Sequence, residues 1–403
     1  MTLEDLKNEI SEYQYFEDTD MIDISLASII ANRLSIGDPI WLTIVGPSSS
    51  GKSQILRPLA LTDENFLHRI DDLTENTFLS GGKTGNGKSP SLLNRIGSKG
   101  IIVISDLTVL FSKNQESKNA ILSQFRMLYD GEMTKYIGTQ SEPLKWSGYL
   151  GIISGSTPSI YSNFEEVSDM GERFIYYRMK DFDPEKATKI SLSRKITGKN
   201  LDNKLSELYG KYIKEIVLSN KSPYIPEYCE DRIIKASIFA EKIRTVAHFD
   251  KFDTTTIDKI PVPAMPMRIA IQLTSILKAL SIMRDITEYD LKIVEWCAFS
   301  LANEEKRACL ITLSKTNFEQ SLSTAQIAND VGLHTKAVNA IMQSLASVKI
   351  VKRTSIDGVL NWSFIDINNY NFIRRICNIN SYDLFSNSDF NTDEDNSSEV
   401  YFS

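Results

Sequence analysis

Histidine is nearly absent from this chain, with three among 403 residues. The four cysteines, Cys229, Cys297, Cys309 and Cys377, form no C-x-x-C pair and no cluster with histidine. These absences exclude a zinc finger and a secreted disulfide framework, and leave buried, reduced thiols as the expectation. No uncharged apolar run approaches ~18 residues, so no membrane-spanning helix is expected. The opening MTLEDLKNEI is acidic and polar, unlike a secretory signal. Positive charge is not in excess either: 45 Lys and Arg against 52 Asp and Glu give a formal net charge of −7. Any nucleic-acid contact must therefore come from local patches. At roughly 100–200 residues per domain, a cytoplasmic protein of two or three domains is expected.

What the chain does have is concentrated between Trp41 and Ser53, WLTIVGPSSSGKS. The apolar run Trp41–Val45 predicts a buried strand. Gly46, Pro47, Ser48, Ser49, Ser50, Gly51, Lys52 and Ser53 then follow the phosphate-loop spacing G-x-x-x-x-G-K-[ST], with Gln54 in the helix behind it. Gly46 and Gly51 let backbone N–H groups turn toward phosphate oxygens where a Cβ would clash. The helix start adds free N–H groups and the positive end of its dipole. Lys52 supplies a point charge to the terminal phosphates, and the Ser53 hydroxyl can ligate Mg²⁺. ATP with Mg²⁺ is the expected cofactor pair. The bland alternative is a Gly/Ser turn that happens to hold a lysine.

Downstream, Ile101–Ile104 predicts a second apolar strand ending on Ser105 and Asp106. A carboxylate at a strand tip beside a phosphate loop holds Mg²⁺, directly or through water. Without the loop it would be an acidic turn residue. Leu107 comes next, so no glutamate stands there to polarise the attacking water. Between the loop helix and this strand, Leu79–Ser91 is a Gly/Lys/Ser-rich loop whose Lys83 and Lys88 could touch a polyanion. Glu116–Tyr129 predicts a helix ended by Asp130-Gly131. A hairpin follows with Lys135 and Lys145 on its arms, either a DNA finger or a plain solvated hairpin. The strand Tyr149–Ile153 runs into SGSTP, where Ser156 or Thr157 could sense the γ-phosphate. Arg173 directly precedes another apolar strand, a place from which to reach a phosphate across a subunit boundary, or to form a surface ion pair.

Taken in order, GPSSSGKSQIL, the Leu79–Ser91 insert, the strand to Asp106, the Lys135 hairpin, Thr157-Pro158 and Glu172-Arg173-Phe174 resemble the AAA+ motor of minichromosome-maintenance (MCM) helicases. The chain looks closer still to the MCM-like ATPases of phages and mobile elements. That resemblance implies sensor 1 at Thr157, a trans-acting arginine finger at Arg173, and a DNA-tracking pore hairpin at Lys135. It also implies a homo-oligomeric ring, hexameric on family grounds, with ATP bound between neighbours. The family pattern apolar-Asp-Glu-Phe is replaced here by Ile104-Ser105-Asp106-Leu107. One carboxylate is missing, and the base has to come from elsewhere, for instance Glu132 or Glu172. Only about forty residues precede the loop, too few for the family's N-terminal DNA-binding collar.

The expected fold class is α/β: an AAA+ P-loop parallel sheet with a helical lid, plus a C-terminal winged helix. Residues 1–36 are read as N-terminal helices, 37–183 as the ATPase core and 184–303 as a helical insert and lid. In the lid, Arg268 at a helix start matches sensor 2 by the same resemblance, or is simply solvated. Residues 304–366 follow a winged helix-turn-helix plan, with Thr324–Val331 and Thr335–Ala346 as helices and Asp357-Gly358 as the wing turn. Ala325, Ile327, Ala328, Val338, Ile341 and Leu345 would form its apolar seam. Thr335, Lys336, Asn339 and Gln343 share an outward face suited to a major groove, and Lys349, Lys352 and Arg353 could take phosphates. Such modules also dock other proteins, so other replication proteins are expected partners beside DNA. Residues 367–403 read as an acidic tail, disordered toward its end. The leading expectation is an ATP-dependent DNA-replication motor. The alternatives are a helicase loader or initiation factor, and an ATP-gated DNA-binding regulator.

Overall fold

The computed structural model describes residues 1–81, 91–137, 142–163, 173–180, 183–192, 197–249, 257–259 and 261–378. Thr2 opens α1 (Leu3–Ser11) with a reciprocal cap on Asp5, and Leu3, Leu6 and Ile10 form its buried stripe. The next helix, α2 (Asp20–Leu34), is not the short amphipathic element its spacing suggests. It is buried on every side from Asp20 to Asn32, polar residues included. Then come β1 (Trp41–Val45), α3 (Lys52–Leu61), β2 (Leu67–Ile70), α4 (Leu92–Ile96) and β3 (Lys99–Ile104). The short α5 (Thr108–Phe111), the helix α6 (Gln115–Tyr129) and the hairpin β4 (Glu132–Lys135) with β5 (Leu144–Ser147) lead into β6 (Tyr149–Ser156). A 3₁₀ turn, Pro158–Asn163, and β7 (Phe174–Arg178) follow.

Five of these strands form one parallel sheet in the order β2-β3-β6-β1-β7, flanked by helices, an α/β arrangement compatible with a P-loop-like fold. Covered on both faces, β1 and β7 are buried throughout and β3 and β6 almost so, which is why they read as unbroken apolar runs rather than alternating ones. Because every strand points the same way, all five carboxyl ends share one edge, the usual location of ligand crevices in such sheets. The start of β1 is fixed by α2. The Asn32 side chain accepts the Ile40 N–H at 2.8 Å and donates to the Ile40 carbonyl at 3.0 Å.

The helices α7 (Pro184–Leu192), α8 (Gly198–Leu218), α9 (Glu227–Arg244), α10 (Met267–Met283) and α11 (Glu288–Phe299) complete the first unit. Of these, α8 lies against α1, α2 and α3 and so belongs to the core, whereas α9, α10 and α11 pack on one another beside α2 and β7. Thr287 and Asp290 cap α11 reciprocally, as its sequence predicts. The chain divides into two units, residues 1–246 with 261–304, and residues 247–260 with 305–403. The segment 247–260 thus leaves the expected insert and joins the C-terminal unit.

That second unit holds most of α12 (Glu304–Ser314), then β8 (Leu322–Ser323), α13 (Thr324–Val331), α14 (Thr335–Ser347), β9 (Val351–Ile356), β10 (Val359–Phe364) and α15 (Ile367–Ile376). Its three strands pair antiparallel in the order β8-β10-β9. Asp357 and Gly358 both take positive φ, 50° and 79°, as a two-residue hairpin turn requires. The core uses Ile327, Val338, Met342, Leu345 and Trp362. Ala325 and Ile341 do not join it fully. Ala325 is exposed and Ile341 half-buried, since the helix phase turns Met342 inward instead. The acidic tail also begins later than expected: α15 is a capped helix with Tyr370, Phe372, Ile373 and Ile376 buried. The acidic residues from Asp383 to Glu399 lie outside the described residues. Ser323 and Gln326 form a reciprocal cap on α13 with bonds of 3.2 and 2.8 Å. Ser323→Ala is expected to cost about 1 kcal/mol, read as a lower denaturant midpoint.

Among the described residues, no helix is long and apolar enough to cross a membrane. All four cysteines are free thiols, and Cys229, Cys297 and Cys309 are buried.

Candidate functional site

The strand–loop–helix at Trp41–Leu61 brings the first set of candidate residues together. Gly46 donates its N–H to the Ser156 carbonyl at 3.1 Å, tying the loop's first residue to the tip of β6. A Cβ at Gly46 would stand 2.6 Å from the Met179 sulfur and 3.0 Å from Ser50 Oγ, so a larger residue there would have to displace both side chains. Pro47, Ser48 and Ser49 form the exposed rim, and Ser49 and Gly51 take left-handed φ of 64° and 93°. Lys52 opens α3 with its ammonium folded back into the loop. It donates to the carbonyls of Gly46 (2.7 Å) and Pro47 (2.5 Å) and to Ser50 Oγ (3.2 Å). Burial pushes the Lys52 pKa down, Asp106 draws it up and Arg178 adds a further downward push. Ser53 and Gln54 follow in the first helical turn.

Strand order supplies the second set. Asp106 stands just past the tip of β3 and Thr157 just past the tip of β6, so the two occupy successive strand ends on one side of the loop. At ~5 Å per strand, Asp106 lies roughly 10 Å from β1, a span a metal-bound phosphate chain can bridge. Its carboxylate accepts the Thr108 N–H at 2.9 Å and the Thr108 hydroxyl. The Thr157 hydroxyl bonds that of Ser159 at 2.7 Å. Ser53, Asp106 and phosphate oxygens together would make a Mg²⁺ site of the kind that keeps several waters.

The missing second carboxylate has a candidate that sequence reading passed over. Ile70 pairs with Ile104, so Asp71 emerges beside Ser105 and accepts its hydroxyl at 3.2 Å. Asp71 also pairs with Arg69 at 2.8 Å. Its only sequence signal was an acidic doublet ending a short strand. Glu132, by contrast, cannot serve as base. Its strand partner Ser147 precedes β6 at the opposite end of the sheet, roughly 30 Å from the loop at 3.3 Å per residue. Glu172 lies outside the described residues, as do Lys83 and Lys88.

Beside the loop is a recess of about 530 Å³, open to solvent and lined among others by Gln14, Phe16, Asp18, Gly51, Gln54 and Met179. Gln14 donates to the Gln54 side chain at 2.6 Å. Asp18 is buried and accepts the Tyr177 hydroxyl at 2.8 Å and the Lys180 N–H at 2.9 Å, while desolvation pushes its carboxyl up. An aromatic wall with amide and carboxylate edges suits a planar, hydrogen-bonding group attached to a phosphate chain. The stretch Tyr13–Asp18 had been given no role, and its clustered aromatics were the available signal.

The two candidate arginines lie together, away from their own loop. Arg173 precedes Phe174, which pairs with Trp41 at the start of β1, about 13 Å below the loop. Its side chain is only 8% exposed, bonds Asp130 of the same chain at 3.2 Å and lies 5.5 Å from the Tyr129 ring. Asp130 and Tyr129 thus hold the guanidinium within its own chain. Arg268, expected at a phosphate, lies 5.9 Å from the same ring. Both are remote from their own loop and close to each other.

The expected DNA contacts also separate. Lys135 is turned inward. Its ammonium donates to the Glu75 and Leu79 carbonyls, both at 3.0 Å, and to Asn76 Oδ1 at 2.9 Å, clamping the hairpin to the 75–79 turn. Burial lowers its pKa. Lys145 on the facing arm is exposed, and the hairpin tip, 138–141, lies outside the described residues. In the C-terminal unit Thr335, Lys336, Lys352 and Arg353 are exposed, while Asn339 and Gln343 are half-buried. No protein-family model matches the chain, and no curated protein matches it in sequence.

Proposed function

We propose that this chain is a Mg²⁺-dependent ATPase of the AAA+ class, MCM-like in its resemblance, that couples ATP to DNA. The observation that carries the reading is the Gly46–Ser53 loop at a parallel strand tip, with Lys52 inside it and Thr157 and Asp106 on the next two strand ends. Lys52 and the loop N–H groups hold the phosphates. Ser53 and Asp106 hold Mg²⁺, which supplies charge neutralisation of the phosphate oxygens. Thr157 senses the terminal phosphate, and the Phe16–Gln54 recess takes the base. Helices α9–α11 act as the lid, and the second unit is a winged helix that meets DNA through Thr335, Lys336, Lys352 and Arg353.

Within this reading a ring-shaped replication motor needs Arg173, and with it Arg268, to leave Tyr129 and Asp130 for a neighbour's phosphate. A second reading, an ATP-gated DNA-binding regulator with little turnover, is favoured by the in-chain pairing of Arg173 and by Leu107 after Asp106. The test is the ATPase rate with and without single-stranded DNA, together with particle size with and without ATP. A DNA-stimulated rate that falls at least about tenfold in Asp106→Asn supports the motor. Background hydrolysis with intact ATP and DNA binding supports the regulator, and failure to bind ATP removes both.

A further inference from the structure

The end of β7 carries a cation that none of the assignments above uses. Arg178 pairs with Val45, the last residue before the loop, and the next residue, Met179, donates to the Val45 carbonyl at 2.8 Å. Strand alternation puts Arg178 on the same face as Tyr176, whose ring contacts Tyr161 in the turn that follows Thr157. The Tyr161 hydroxyl donates to the Ser300 carbonyl at 2.7 Å, and Ser300 Oγ accepts the Arg178 N–H at 3.1 Å. The backbone of Arg178 is thus fastened beside the loop, across β1 from the strand that ends at Thr157.

Its head is not similarly satisfied. The side chain is 8% exposed, yet among the described residues its one carboxylate partner in an ion pair is Glu304, whose own side chain is 54% exposed, through a single contact at 2.9 Å. Nε is buried without a hydrogen-bond partner among the described residues. A guanidinium with five donors, sunk beside a phosphate loop and held monodentately by a half-solvated carboxylate, is poised for a stronger anion. It also lies close enough to Lys52 for the two positive charges to oppose each other, a repulsion that a polyanion between them would relieve.

We propose that Arg178 is a second phosphate-binding cation of the nucleotide site, acting within its own chain, and that Glu304 competes with the terminal phosphate for it. The proposal rests on the nucleotide-site reading. It deepens that reading by naming what distinguishes a triphosphate from a diphosphate. With only a diphosphate bound, Arg178 stays on Glu304. With a triphosphate bound, it exchanges the carboxylate for phosphate oxygens, which offer bidentate, charge-assisted bonds.

The test is equilibrium titration of the full chain with fluorescent ATP and ADP analogues in Mg²⁺, for wild type, Arg178→Gln and Glu304→Gln. Arg178→Gln is expected to weaken triphosphate binding about tenfold or more while diphosphate binding stays within about threefold. Glu304→Gln is expected to shift the other way, tightening triphosphate binding about threefold by removing the competitor. Should Arg178→Gln fail to fold, the solvent-facing Glu304→Gln decides alone. Unchanged triphosphate-to-diphosphate ratios, with only a lowered melting temperature, would make the pair a structural salt bridge and overturn the proposal. A wild-type protein that binds neither analogue overturns the nucleotide site itself.

Discussion

Lys52→Ala should weaken MgATP binding by about 30- to 5000-fold, the equivalent of roughly 2–5 kcal/mol for removing one partner of a buried charge pair. The size follows from where the ammonium sits. Lys52 is 9% exposed and its charge is already partly desolvated, so it meets a phosphate in a medium that screens less than water. The carbonyls of Gly46 and Pro47 that it now occupies are weaker acceptors than phosphate oxygens. Folding should suffer little, because the rim at Pro47–Ser49 is exposed and water can replace the lost donor. Calorimetric titration paired with a melting curve reads both quantities. An affinity within about threefold of wild type would remove the loop from the nucleotide site.

Asn32→Ala is expected to lower folding stability by roughly 1–3 kcal/mol, the cost of leaving the buried Ile40 N–H without its partner. The Asn32 side chain is the acceptor for the N–H of Ile40, a fully buried residue at the threshold of β1, whereas the Ile40 carbonyl also accepts the Ile152 N–H at 3.2 Å. The site leaves no room for a substitute. A Cβ on Gly151 would stand 2.3 Å from Asn32 Nδ2, so Gly151→Ala should be destabilising through displacement of the same amide. Denaturant unfolding of the two single variants and the double variant checks this. Penalties that overlap rather than add would show that both act through Ile40. A loss below about 1 kcal/mol for Asn32→Ala would mean that another acceptor reaches the Ile40 N–H.

Much of the architecture was readable because its cues are local. An unbroken apolar run such as Trp41–Val45 signals a strand covered on both faces, and a glycine–lysine loop behind it signals a turn into a helix. Thr287 with Asp290 caps its helix through four consecutive residues, and Asp357-Gly358 turns a hairpin by its own φ preferences. Burial of α2 was not readable in this way. Asp20, Asp23 and Asn32 look like a solvent face until Lys180, Lys7, Arg284 and Ile40 are brought up to them from elsewhere in the chain.

The candidate site divides along the same line. Sequence by itself determined the loop from Gly46 to Ser53, the strand-end carboxylate Asp106 and the hydroxyl at Thr157, since each depends on chemistry within a few residues of itself. Only the tertiary structure decided that Asp71 stands beside Ser105, that Arg178 flanks Val45, and that Phe16 and Asp18 line a recess against the loop. It also decided that Lys135 is consumed by the 75–79 turn and Arg173 by Asp130. The physical reason is that a side chain's charge is written in its residue type, whereas its partner is set by which strand lies next to which. That adjacency comes from long-range packing, with neighbours dozens of residues apart along the chain.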